Sequence, residues 1–224
     1  MDTTKNNRKL MVFLGIVLFT QAVTSLVGGS IFLGPFDSSE ITGTALIAIS
    51  GNALAGYISI VLQMVTGVVI IMLGAAMYSA AGHKNKTMGI IALGMYVFET
   101  VLLAIDQVFV YGLIDAAKLY VETGGTNLIA LGTVLMSCKE FAGNIAMIPF
   151  GIGAVLFYYL LMKAQVLPKW LALWGICAAP LILVGVPLMA FGVDVPFAVL
   201  VPYVPFEFFA GIFVLVKYLR KKEV

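Results

Sequence analysis

Six continuous apolar runs, each longer than 20 residues, dominate this chain: residues 10–33, 54–80, 88–112, 136–163, 170–191 and 197–219. A helix needs about 20 such residues to cross the ~30 Å hydrocarbon layer of a bilayer. A membrane β-barrel would instead show short segments alternating apolar and polar, and these runs do not alternate. The expectation is an all-α integral membrane protein. It forms a single membrane domain over residues 1–224, a bundle of six transmembrane helices with short extra helices on the outer side.

Composition agrees where it bears on class. The chain is 62% hydrophobic and 11% charged, against about 45–50% and about 25% for soluble domains. Its mean hydropathy is +1.08. A soluble enzyme, a nucleic-acid binder and a disordered chain are excluded. The net charge of +2 is too balanced to call for an acidic partner. The first run is too long, and too directly followed by another span, for a cleaved signal peptide. It reads as a retained helix.

The cations give the orientation. Six spans put both termini and the second and fourth connections on one side. That side carries Lys5, Arg8, Lys9, Lys84, Lys86, Lys163, Lys169, Lys217, Arg220, Lys221 and Lys222, which is 11 of the 13 basic residues. Only Lys118 and Lys139 lie opposite. The positive-inside rule then places both termini in the cytoplasm. The outer connections are the longer ones. Residues 36–53 hold Asp37, Ser38, Ser39 and Glu40, followed by a stretch suited to a short interfacial helix. Residues 113–135 hold Asp115, Lys118 and Glu122 and are broken at Gly124–Gly125. Their second half, 127–135, either extends the fourth helix or packs across the bundle mouth.

Cys138 and Cys177 fall near opposite ends of their spans, on the order of 20 Å apart in depth by helical rise, so no disulfide is expected. The single histidine, His83, belongs to an inner loop. Nothing calls for a metal or other cofactor. No nucleotide loop, nucleophile elbow or other catalytic signature is present, and no internal repeat stands out.

Ionisable groups inside apolar spans are costly and face a bundle interior or a water-filled path. Counting rise from the helix ends puts Glu99 and Gln21 about 16 Å deep and Glu207 about 15 Å deep, all near the midplane. Asp106 lies seven residues after Glu99, on the same helix face with Tyr96. Asn144, Glu140 and Lys139 sit further out on the fourth helix, where Lys139 is the one cation near this layer. Gln63 and Gln107 can contribute. With Tyr96 and Tyr203, these residues form the candidate site, a polar pocket open outward and narrowing to Glu99 and Glu207. Against this stands a reading in which both carboxyls are protonated and only link helices.

Pro149, Pro180, Pro187, Pro202 and Pro205 lie within the spans. Each removes a helical hydrogen bond and frees the carbonyl four residues earlier, at Val201 for Pro205 and at Ala198 for Pro202. Gly67, Gly74, Gly143, Gly151 and Gly153 read as close-packing positions. Phe157, Tyr158, Tyr159, Trp170, Trp174 and Tyr218 read as an aromatic belt at the inner interface.

Two stretches, LFYYLLMKAQVLPKWLALWG at 156–175 and VPYVPFEFFAGIFVLVKY at 201–218, resemble the last three helices of an uncharacterised bacterial family. It is the domain-of-unknown-function family numbered four-three-eight-six. That pattern has an aliphatic-aromatic helix end, a Leu/Ile-Pro loop, a Trp/Leu-rich restart, and a last helix with proline and an intramembrane glutamate. Pro168 and Glu207 match those positions. The segment GMYVFETVLLAI at 94–105 resembles the family's third helix, with Glu99 as its acid. Where the pattern carries an Asp/His-like element early in the fourth helix, this chain has Lys139, Glu140 and Asn144. The resemblance implies six helices and no established activity.

The functional expectation is a protein that binds a small molecule or lipid, of transporter or sensor type. The alternatives are an intramembrane enzyme using Glu99 and Glu207 as acid and base, and a non-catalytic accessory or immunity-type protein. Membrane lipids are its expected surroundings, nucleic acid is not a partner, and an oligomer is compatible with all three readings.

Overall fold

The computed structural model describes residues 3–31 and 41–220. Asp37, Ser38, Ser39, Glu40, Lys221 and Lys222 lie outside the described residues, as does the side chain of Lys5. The described residues form eight α-helices: α1 (Thr3–Ile31), α2 (Gly43–Gly51), α3 (Ala53–Ala81), α4 (Lys86–Thr123), α5 (Asn127–Lys163), α6 (Lys169–Ala190), α7 (Phe197–Leu200) and α8 (Tyr203–Leu219). Among them are six helical spans long and apolar enough to cross a membrane. Large apolar side chains along these spans stand exposed, among them Leu54, Val61, Val108, Val184 and Ile212. Lipid is the solvent that makes such exposure cheap.

Helices α4 and α5 run well beyond the apolar cores at 88–112 and 136–163. Residues 113–135, read as an outer connection, are helical except at 124–126. The break comes where the glycines are. Gly124 adopts φ +67° and its N–H bonds to the Tyr120 carbonyl, closing α4; only glycine takes such a backbone at little cost. The stretch 127–135 begins α5.

The chain packs as two compact units. In the unit formed by residues 24–67 and 101–143, the short helix predicted after Glu40 is present as α2. Thr42 caps it, its hydroxyl accepting the Ala45 N–H at 3.2 Å. Ile41, Leu46 and Ile49 are fully buried against Val110, Leu113, Ile114, Ala117 and Met136 of α4 and α5. That cluster explains why both helices persist past the hydrocarbon length. Both cations assigned to the outer side belong to this unit and are engaged. Lys118 Nζ donates to the Tyr57 hydroxyl at 2.8 Å, and Lys139 Nζ lies 4.0 Å from Asp106 Oδ1.

The other unit comprises residues 3–23, 68–100 and 144–220. Here α1 and α8 run antiparallel in close contact: a Cβ on Gly211 would lie 3.0 Å from the Phe19 backbone nitrogen, and one on Gly15 2.8 Å from Leu215. Arg8 donates to the Tyr218 carbonyl at 3.1 Å and the Leu219 carbonyl at 3.4 Å. A guanidinium on the last carbonyls of a helix satisfies orphan acceptors and the negative end of its dipole.

The five span prolines act in two ways. Pro149, Pro180 and Pro187 sit inside α5 and α6, which continue through them. The last apolar run does break, at Val201–Pro202, between α7 and α8. Pro205 is therefore the third residue of α8, where an N–H would have no intrahelical acceptor anyway. It costs α8 little. Depth counted along one helix from residue 197 does not carry over to Glu207, which lies four residues into α8.

Candidate functional site

The unit of residues 3–23, 68–100 and 144–220 draws Glu99, Glu207, Tyr96 and Tyr203 together. Tyr96 and Glu99 are three apart on α4, and Tyr203 and Glu207 four apart on α8, so each pair shares a helix face. Glu99 is 3% exposed, and its Oε2 has no hydrogen-bond partner. Glu207 is the acid acting electrostatically on it. The Tyr203 hydroxyl is hydrogen-bonded to the Glu207 carboxyl and lies 2.7 Å from the Tyr158 hydroxyl on α5, where either can be the donor. Tyr96 interacts electrostatically with Glu99, Glu207 and Tyr158. The result is two carboxyls and three phenols in one group, with Glu99 and the tyrosines buried and Glu207 half-buried.

Aromatic rings wall this group. Phe206 meets Tyr158 edge-on at 4.8 Å between centroids, Phe150 meets Tyr203 at 5.2 Å, and Phe157 lies 5.3 Å from Tyr96. Such contacts suit the ring quadrupole. Trp174 Nε1 donates to the Pro202 carbonyl at 2.9 Å, tying α6 to the start of α8 just before Tyr203. Glycine makes the approach possible. A Cβ on Gly153 would lie 2.7 Å from Tyr96, and one on Gly175 would overlap Phe206 and stand 2.8 Å from Tyr158.

Three aromatic assignments change. Tyr158 and Phe157, read as belt residues, are 1% and 0% exposed and belong to this group, and Trp174 anchors the break before α8. Three consecutive residues of a helix span about 200° of arc, so Phe157, Tyr158 and Tyr159 cannot all face lipid. Only Tyr159 does so, at 36% exposure. That periodicity is the signal that would have moved Tyr158 inward.

The remaining candidates divide by unit. Gln21 is buried and Asn144 half-buried in the unit just described. In the other, Asp106 and Gln107 are each 5% exposed, and the Gln107 amide donates to Asp106 Oδ2. Asp106 Oδ1 has only the distant Lys139 ammonium. Gly143 keeps the space beside that oxygen open, since a Cβ there would come within 3.5 Å of it. Glu140 is half-buried. Cys138 and Cys177 are free thiols.

The glutamate of α4, the Pro168 loop and the proline-broken last helix with its own glutamate are the positions that carried the family resemblance. The family model, described as Domain of unknown function (DUF4386), matches residues 13–219. The chain belongs to the DUF4386 family. The match begins inside the first of the six candidate membrane spans and takes in the other five, so the DUF4386 pattern and the six-helix architecture describe nearly the same stretch. No curated protein and no solved structure matches this DUF4386 chain.

Proposed function

We propose that this protein is a multi-pass protein of the bacterial plasma membrane that binds a small molecule or lipid, of transporter or sensor type, with Glu99 and Glu207 as its proton-coupled centre. One observation carries the reading. Glu99 is buried, has a carboxyl oxygen with no partner, and stands in the field of a second carboxyl. A group whose only task is to join helices satisfies its oxygens, because an unmet buried polar atom costs about 1–3 kcal/mol. A site that takes up and releases a proton or a polar ligand group leaves such a position open.

The phenols supply the rest of the chemistry. Tyr158, Tyr203 and Glu207 form one hydrogen-bonded line, and Tyr96 adjoins both acids. A proton on either carboxyl can be answered by reorienting hydroxyls rather than by moving helices. In this reading access is from the outer face and both termini are cytoplasmic.

The test compares Glu99→Gln and Glu207→Gln in the full chain. The amide keeps shape and polarity but cannot release a proton. The expectation is retained folding, with melting in detergent within about 3 °C of wild type, and loss of the cellular phenotype conferred by the gene. If both variants lose stability together while the phenotype survives, the acids are structural.

A further inference from the structure

Two hollows open at one end of the unit containing Glu99 and Glu207, away from the carboxyl group, and lysines line both. One, of about 420 Å³, is bounded by Lys163, Gln165, Pro168, Lys169 and Lys217 among others. The second, of about 320 Å³, is bounded by Lys84, Asn85, Tyr159 and Lys163 among others. Lys163 stands in the wall of both, and among the described residues no Asp or Glu lines either. A topology signal requires cations on this side of the membrane, but not around concave spaces without counter-charge. Four ammonium groups about two hollows that share Lys163 repel one another, and an anion relieves that.

The walls are built rather than incidental. α5 ends in a Schellman turn: the Val166 N–H reaches the Leu161 carbonyl at 3.0 Å and the Gln165 N–H the Met162 carbonyl at 3.1 Å. Lys217 of α8 donates to the Gln165 and Val166 carbonyls at 3.0 and 2.9 Å, which fixes the loop against α8. Lys163 and Lys169 are left with exposed head groups, Lys163 lying over the Tyr159 ring at 5.4 Å. Beside them Trp170 is 60% and Leu173 50% exposed. An indole at the end of a span marks the headgroup level of a bilayer, with an apolar helix face leading away from it. Basic pockets between helices at that level suit phosphate groups.

We propose that these two hollows, centred on Lys163, form a binding site for a phosphate-bearing anion. The phosphodiester headgroup of an anionic phospholipid is its membrane source, and a soluble phosphate its aqueous one. The site is independent of the carboxyl group and stands or falls separately.

The full chain in a neutral detergent is titrated with phosphatidylglycerol, phosphatidylcholine or inorganic phosphate while its melting temperature is followed. The expected result is saturable stabilisation by phosphatidylglycerol or by phosphate and none by phosphatidylcholine. A response to phosphatidylglycerol alone assigns the lipid source, and one to phosphate alone the soluble source. Lys163→Gln with Lys169→Gln should weaken the response roughly tenfold or more. The charge-matched pair Lys9→Gln with Lys86→Gln, outside both hollows, should change it by less than about threefold. Lys84→Gln, exposed and lining only the second hollow, repeats the test should the first pair fold poorly. Equal response to the two lipids, no response at all, or equal loss in both double variants overturns the site.

Discussion

The hydroxyl of Tyr203 occupies the middle of the Tyr158–Tyr203–Glu207 line, which makes the stability cost of removing it calculable. Replacing either tyrosine with phenylalanine retains the ring and its contacts, so the change isolates the hydroxyl. Tyr158→Phe removes one hydrogen bond and leaves Tyr203 still bonded to Glu207. A single interhelical bond of this kind is worth about 0.6 kcal/mol on average and up to about 1.7 in membrane proteins. Tyr203→Phe removes two bonds and strands two groups, the Tyr158 O–H and a Glu207 oxygen. Tyr158 is 1% exposed, so its donor has no water to turn to. At about 1–3 kcal/mol for the stranded, buried Tyr158 hydroxyl, and about 1 kcal/mol for the half-buried Glu207 oxygen, Tyr203→Phe should cost about 2–4 kcal/mol. The double variant should be more stable than Tyr203→Phe alone, because removing the Tyr158 hydroxyl then deletes a stranded donor rather than a bond. Reversible unfolding in mixed micelles, measured for the four members of the cycle, reads the order directly. If the two costs add within about 0.5 kcal/mol, or if Tyr158→Phe proves the more damaging, the hydroxyls do not form one line.

Backbone and packing give further outcomes. Gln165 closes α5 at φ +58°, the left-handed position that Gly192 fills at φ +79° after α6. Gln165→Gly should therefore raise stability by about 0.5–1 kcal/mol in the same unfolding assay, where glycine inside a helix would lower it. Gly175→Ala should lower stability by about 1–3 kcal/mol, because the new methyl meets Phe206 and Tyr158. Gly94→Ala has nothing within 4 Å and should raise it by up to about 1 kcal/mol. Lys139→Met leaves the 5%-exposed Asp106 without its cation and should cost about 1–3 kcal/mol, discounted because Lys139 is itself partly exposed. Adding Asp106→Asn should recover most of that loss, read as melting temperature.

The membrane-crossing helices were legible because continuous apolarity over more than 20 residues has one physical solution in a bilayer. Their lengths were not. Hydropathy marks where a helix can meet lipid, whereas α4 continues to Thr123 because Val110, Leu113, Ile114 and Ala117 find a partner in Ile41, Leu46 and Ile49 of a distant segment. No local signal announces that partner. The end at Gly124 was legible, since a glycine pair is a stop signal whatever packs nearby. The break at Val201–Pro202 was half legible. Proline density marked the place, but two prolines three residues apart can kink a helix or end one and begin another. Only in the second case does Pro205 fall in a first turn where its missing N–H is harmless.

Scarcity of charge drew attention to Glu99 and Glu207, while the rule for aromatics at helix ends drew Tyr158 to the wrong place. Both arguments treat a residue by depth alone, and a helix position has an angle as well. Glu99 and Glu207 survive that simplification because a carboxyl cannot face lipid cheaply, so depth alone dictates that they turn inward. A tyrosine near a helix end is stable facing either way, and its angle is decided by what waits on the inner side. Here that is Gly175, whose missing side chain admits Phe206 against Tyr158, together with the hydroxyl of Tyr203. The polar centre of this protein therefore depends on a glycine on α6 that carries no chemistry. Enlarging it should disturb the hydrogen-bonded line to Glu207 as surely as removing a hydroxyl does.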